Sequence, residues 1–131
     1  MDKKYLSKII ATDNEGLQVI SACCSGAEVK VNEIKYLQKN KVFLLSLKRS
    51  KVETEEQDKK IISICKFEFV DRVKSKNIKQ NDPEEKLELI GMDYLKNNDN
   101  YEINLMFTNN AYITLSTEII EVTLDDQNKA D

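Results

Sequence analysis

The stretch Tyr101-Glu102-Ile103-Asn104-Leu105-Met106-Phe107-Thr108, then Asn109-Asn110, then Ala111-Tyr112-Ile113-Thr114-Leu115-Ser116 decides the fold. Tyr101, Ile103, Leu105 and Phe107 alternate with Glu102, Asn104, Met106 and Thr108, and successive side chains of a strand point to opposite faces, so one face is committed to a core. Asparagine tolerates a left-handed backbone better than most residues, so Asn109-Asn110 predicts the turn of a β-hairpin. Alternation resumes with Ala111, Ile113 and Leu115 against Tyr112, Thr114 and Ser116. Such a hairpin sets an antiparallel architecture and carries no chemistry of its own.

Toward the amino terminus, Tyr5 to Ala11 reads as a first strand. Asp13 can accept from the free N–H groups of a helix that places Leu17, Ile20 and Cys24 on one face, and Ser25-Gly26 closes it. Val29 and Val31, then Ile34 and Tyr36, predict two short strands about Asn32-Glu33. Lys39-Asn40 turns the chain into Val42 to Lys48, whose Val42, Phe43, Leu44, Leu45 and Leu47 leave hardly any polar face, as a central strand requires. Lys51 to Lys60 is too polar to pack and is expected to be a mobile charged loop. Ile61 to Val73 reads as one strand, with Cys65, Phe67 and Phe69 on one side. Asn81-Asp82-Pro83 breaks the pattern, because proline restricts its predecessor and cannot donate to a ladder.

Leu87 to Leu95 is a further strand, with Leu87 and Leu89 opposite Ile90 and Met92, and Asn97 to Asn100 is a turn. Thr117 to Asp126 fits a helix through Ile120 and Leu124 and a strand through Ile120, Val122 and Leu124; a short terminal helix is the reading adopted, with a disordered tail over 127–131. The expected fold class is α+β: one domain over 1–131, dominated by antiparallel sheet of about seven to nine strands, with one early helix, in the manner of a rolled sheet or a pleckstrin-homology-like barrel.

Composition narrows function chiefly by exclusion. A chain of 131 residues with 40% hydrophobic and 33% charged residues is ordinary for a folded domain, and no apolar run approaches the roughly 18 residues of a membrane span. The start of the sequence has no long apolar segment of a secretory leader, so the expected location is the cytoplasm. A net charge of −3 lacks the basic excess of a general nucleic-acid binder, so no nucleic acid is expected as partner. Three glycines, Gly16, Gly26 and Gly91, form no phosphate-cradling motif, and no cofactor is expected.

The chain has no histidine, which removes the commonest general base and metal ligand. Cys23, Cys24 and Cys65 lack paired metal spacings and Cys-x-x-Cys spacing, and are read as reduced core thiols with no metal site. Glu118 with Glu121, or Asp125 with Asp126, has the spacing of a solvated face, and no catalytic residue is assigned. Tyr94, Tyr101 and Tyr112 offer an aromatic platform or, more ordinarily, core and rim positions. The one constellation singled out is cationic. Arg72, Lys74 and Lys76 alternate on one face of a strand and, with Lys48 and Arg49, make a candidate anion-binding surface; the plainer reading is a lysine-rich face that discourages edge pairing.

Ala11-Thr12-Asp13, Leu17 to Ala22, Val29, Tyr36 and Phe43 to Arg49, together with Phe67 to Ile78 and Asp82-Pro83 before Leu87 and Leu89, resemble a family of small bacterial proteins catalogued as a domain of unknown function. The likeness covers nearly the whole chain. It departs from the family pattern at Ser25-Gly26, where Gln-Asp is common, and at Ser50 and Val52, where an aromatic pair is common. The resemblance implies a family without an activity. The expected function is a non-enzymatic cytoplasmic binding or adaptor module recognising a protein partner through a sheet edge or loop surface. The competing class is a small enzyme or sensor acting on an anionic metabolite through Asp, Glu or Cys. A third is an accessory subunit that buries an apolar face in a homo-oligomer.

Overall fold

The alternation over residues 101–116 is realised as two paired strands inside a larger antiparallel sheet. The computed structural model describes residues 8–52, 58–79 and 81–129. Among these are β1 (Lys8–Ala11), the helix α1 (Asn14–Cys24), β2 (Glu28–Lys30), β3 (Ile34–Leu37), β4 (Val42–Val52) and β5 (Asp58–Phe67). There follow β6 (Val70–Lys76), β7 (Lys86–Asn97), β8 (Asn100–Phe107), β9 (Tyr112–Thr117) and β10 (Val122–Lys129). Strand order is β1-β10-β5-β4-β2-β7-β8-β9-β6, with β3 paired to β4 beside β2. The described strands number ten, more than expected, because one predicted strand divides in two and the expected terminal helix is a strand.

In the deciding hairpin, Ile103, Leu105 and Phe107 of β8 and Ile113 and Leu115 of β9 are buried. Asn109 and Asn110 both take the left-handed conformation that their composition predicts, with φ of 66° and 58°. Helix α1 follows its reading equally closely. The Gly16 N–H donates to the Asp13 carboxylate at 2.8 Å, Gly26 takes a φ of 86° just past the helix end, and Leu17, Ile20 and Cys24 are buried. The helix packs on β7 and β1. Burial of Leu17 and Ile20 contributes roughly 1.5–3 kcal/mol each.

Four features depart from the reading. The strand expected over Ile61 to Val73 breaks at Glu68-Phe69, where Phe69 is left-handed at φ 59° and 40% exposed. The Glu68 and Glu118 N–H groups, which donate to Glu121 and Phe69 carbonyls, hold that corner. In β7 the register slips between Leu89 and Gly91, so Ile90 bulges outward and Met92 joins Leu87 and Leu89 in the core instead of opposing them. The freed Met92 N–H donates to the Ser21 hydroxyl of α1 at 2.9 Å.

The terminal helix expected over Thr117 to Asp126 is corrected to a turn and the strand β10, because both edges of β10 find partners, β1 and β5. A single helix has no such pair of ladders to gain. Of the charged segment 51–60, Lys51↔Lys59 and Val52↔Asp58 extend the β4–β5 ladder, and residues 53–57 lie outside the described residues. Likewise β10 reaches Lys129, and of the expected tail 130–131 lie outside them.

The sheet curls without closing, ending in β1 and β6. Its curl brings β6 back beside the β3–β4 corner, where the Tyr36 hydroxyl donates to the Val70 carbonyl at 2.8 Å and the Val70 N–H donates to the Lys41 carbonyl at 2.8 Å. Inside lies one core, in which Phe43 and Phe67 meet edge to face with ring centroids 5.9 Å apart.

Candidate functional site

Where the curled sheet fails to close, a groove of about 350 Å³ separates two strands that each pair along one edge. One wall is β3, which pairs with β4 and presents Ile34 and Tyr36; the other is β6, which pairs with β9 and presents Val73 and Ser75. Phe43 and Ile113, both buried in the core, form the floor. Period-two geometry explains why these residues line it, since Lys35 and Arg72, Lys74 and Lys76 alternate with them and face away. The Tyr36–Val70 hydrogen bond bounds one end. Toward the other, Val31 and Asn32 donate backbone N–H groups to the carbonyls of Glu85 and Pro83, each at 3.0 Å.

The five candidate cations divide among three places. Arg72, Lys74 and Lys76 are exposed along β6, as their alternation predicts, and none makes an ion pair among the described residues; Lys76 lies over the Tyr112 ring, 5.9 Å from its centroid. Lys48 is exposed beside Lys60 and Lys86 in a separate polar hollow that also contains Glu28 and Glu88. Arg49, its neighbour on β4, points inward and is 6% exposed. There its Nη2 meets Asp126 Oδ1 at 2.9 Å and its Nε donates to the Ser63 hydroxyl at 3.0 Å, while that hydroxyl donates to Asp126 Oδ1 at 2.7 Å. This triad ties β4, β5 and β10 together. Ser63 is wholly buried, and its hydroxyl proton is already given to Asp126, so the arrangement suits cohesion of the sheet better than nucleophilic attack on an outside molecule.

The other chemical candidates disperse similarly. Asp125 and Asp126 occupy opposite faces of β10, and Glu118 and Glu121 flank the turn before it. Tyr94 and Tyr101 pack together at the core rim with centroids 5.7 Å apart, whereas Tyr112 faces outward on β9. Among the described residues no three His, Cys, Asp or Glu side chains stand close enough to hold a metal ion.

Cys24 and Cys65 are buried in the core and Cys23 is half-buried. A hydrogen bond with the Cys24 thiol, and then burial, hold the Cys65 thiol well above the usual thiol range. Because the thiolate is the nucleophile, Cys65 is expected to resist a thiol reagent such as dithionitrobenzoate in the folded protein and to react once urea unfolds it. Rapid native labelling of Cys65, read by peptide mass spectrometry, would contradict that environment. The raised value also sets a sign: the neutral thiol is the form that folding favours, so its contribution is complete below the ordinary thiol pKa near about 8.5 and is lost as pH rises through the higher folded value.

The groove was missed in the sequence because its walls come from segments some forty residues apart, brought together by topology. Its only local signal was the alternation of β6, which marked the charged face and, by implication, Val73 and Ser75 on the other. No helix among the described residues is long and apolar enough to cross a membrane. No curated protein and no solved structure matches the chain. Residues 7–131 match the family described as "Protein of unknown function (DUF2948)", which bears out the resemblance, and the chain belongs to that family.

Proposed function

We propose that this chain is a non-enzymatic binding module of the cytoplasm that receives a protein partner in the groove between β3 and β6. The observation that carries this reading is the combination of an apolar floor with two strand edges left without a neighbouring strand among the described residues. Strand edges present a row of backbone donors and acceptors to an incoming chain, and an apolar floor beneath them supplies the burial that such hydrogen bonds alone do not. Scattered carboxylates, a sealed serine and a thiol held neutral supply no matching constellation for an enzyme.

Its test is a pull-down from native lysate with the unaltered protein and with Ser75→Arg, an exposed position on the groove wall, both checked for equal unfolding temperature. Expected is a partner retained by the unaltered protein and lost with Ser75→Arg. Identical captured sets from the two proteins would remove the groove as the binding surface.

A further inference from the structure

We infer that the groove takes an extended peptide in which apolar and acidic side chains alternate, added along the free edge of β6; this rests on the binding-module reading above. The alternation of β6 dictates the ligand's pattern. Val73 and Ser75 face the groove while Arg72, Lys74 and Lys76 face away from it, and a chain laid beside β6 as a new strand must alternate in the same way. Its inward side chains meet Phe43, Ile113 and Tyr36 and are therefore apolar. Its outward side chains stand across from Arg72, Lys74 and Lys76.

The balance of charge at the rim selects acidic residues for those outward positions. Two carboxylates near the groove are already engaged: Asp71 pairs with Lys41 at 3.0 Å, and Glu84 meets Lys30 at 3.7 Å and accepts from the Asn32 amide at 3.3 Å. The three cations of β6 make no ion pair among the described residues, and Lys35 is exposed on the opposite strand. A lysine-rich edge repels another basic edge and so suppresses indiscriminate pairing, yet the same row attracts a strand of opposite charge. The two readings of this row offered by the sequence thereby become one device, which excludes most strands and admits one class.

Two fluorescein-labelled peptides test this by anisotropy against the intact chain: one alternating isoleucine with glutamate, the other alternating isoleucine with lysine. The glutamate peptide is expected to bind, the lysine peptide on the order of tenfold more weakly or not at all, and Lys74→Glu with Lys76→Glu to reverse the order. Lys48→Glu, in the separate hollow, is expected to leave binding unchanged. If Ser75→Arg abolishes capture of the lysate partner while neither peptide binds, the groove stands and the acidic strand is overturned. Capture indifferent to Ser75→Arg overturns the groove itself. Tighter binding of a labelled single-stranded oligonucleotide than of the glutamate peptide would reassign the cations to phosphate. Dimers in sedimentation velocity that dissociate in Ser75→Arg, with no peptide bound, would give the edge to a second copy.

Discussion

Replacing Asp126 by leucine is expected to cost roughly 3–5 kcal/mol, a large share of the total stability of an ordinary domain. Arg49 would remain 6% exposed with its guanidinium deprived of the carboxylate 2.9 Å away, retaining among its described hydrogen bonds only the neutral Ser63 hydroxyl. The penalty is that of an uncompensated buried charge rather than the net worth of the pair. Arg49→Met removes the other partner and is expected to fall toward the lower end of that range, because Asp126 keeps the Ser63 O–H donor and interactions beyond these two. The double variant Arg49→Met with Asp126→Leu leaves no charge to strand and should recover much of the loss, since apolar replacement of a buried pair is often neutral or stabilising. Urea unfolding of the four proteins gives the coupling energy directly. Additive losses in the double variant would mean that Arg49 and Asp126 act independently, and the triad would not be the clasp of β4, β5 and β10 that its geometry indicates.

Arg49 also shows where sequence reasoning stops. The sequence reading put Lys48 and Arg49 on one cationic surface, whereas neighbours in a strand face opposite ways, and an arginine turns inward only if a buried carboxylate awaits it. Asp126 is 77 positions away on a strand expected to be a helix. Its strand pattern, Ile120, Val122 and Leu124, was visible, but a helical pattern was equally so, and the deciding term was the pair of ladders supplied by β1 and β5. Features governed by neighbours along the chain were legible: the Asp13 cap, the left-handed Asn109-Asn110 and the buried face of α1. The break at Glu68-Phe69 was not, since phenylalanine is a poor left-handed residue and only its surroundings impose that conformation. Nor was the bulge at Ile90, which inverts every later inward position of β7. As for the site, β6 announced its cations through period two, while the groove beside them required knowledge of which edge β9 leaves open.

Phe67→Ala carries the second large expected effect, about 3–5 kcal/mol. The two phenylalanines Phe67 and Phe69 are two residues apart and share a face in any unbroken strand, so sequence assigns them equal weight. The corner at Glu68-Phe69 separates their fates. Phe67 is fully buried, registers against Phe43 on β4 and Val122 on β10, and meets the Phe43 ring edge to face; Phe69 stands 40% exposed. Truncating Phe67 therefore removes its burial and its ring pair, the latter about 0.5–1.5 kcal/mol, and leaves a void at the junction of three strands that a sheet fixed by ladders on both sides cannot readily collapse. Phe67→Leu, which restores most of the volume, is expected to cost on the order of the ring pair alone. For Phe69→Gly the effects oppose one another: relief of the left-handed strain, worth about 1–2 kcal/mol, offsets the lost contacts of the exposed ring, so a change near zero is expected. Because Phe43 is also the floor of the groove, Phe67→Ala should weaken binding of the glutamate peptide even at temperatures where the protein remains folded. Equal unfolding free energies for the Phe67→Ala and Phe69→Gly proteins would mean that the chain runs straight through this corner, and the separation of β5 from β6 on which the groove depends would fall with it.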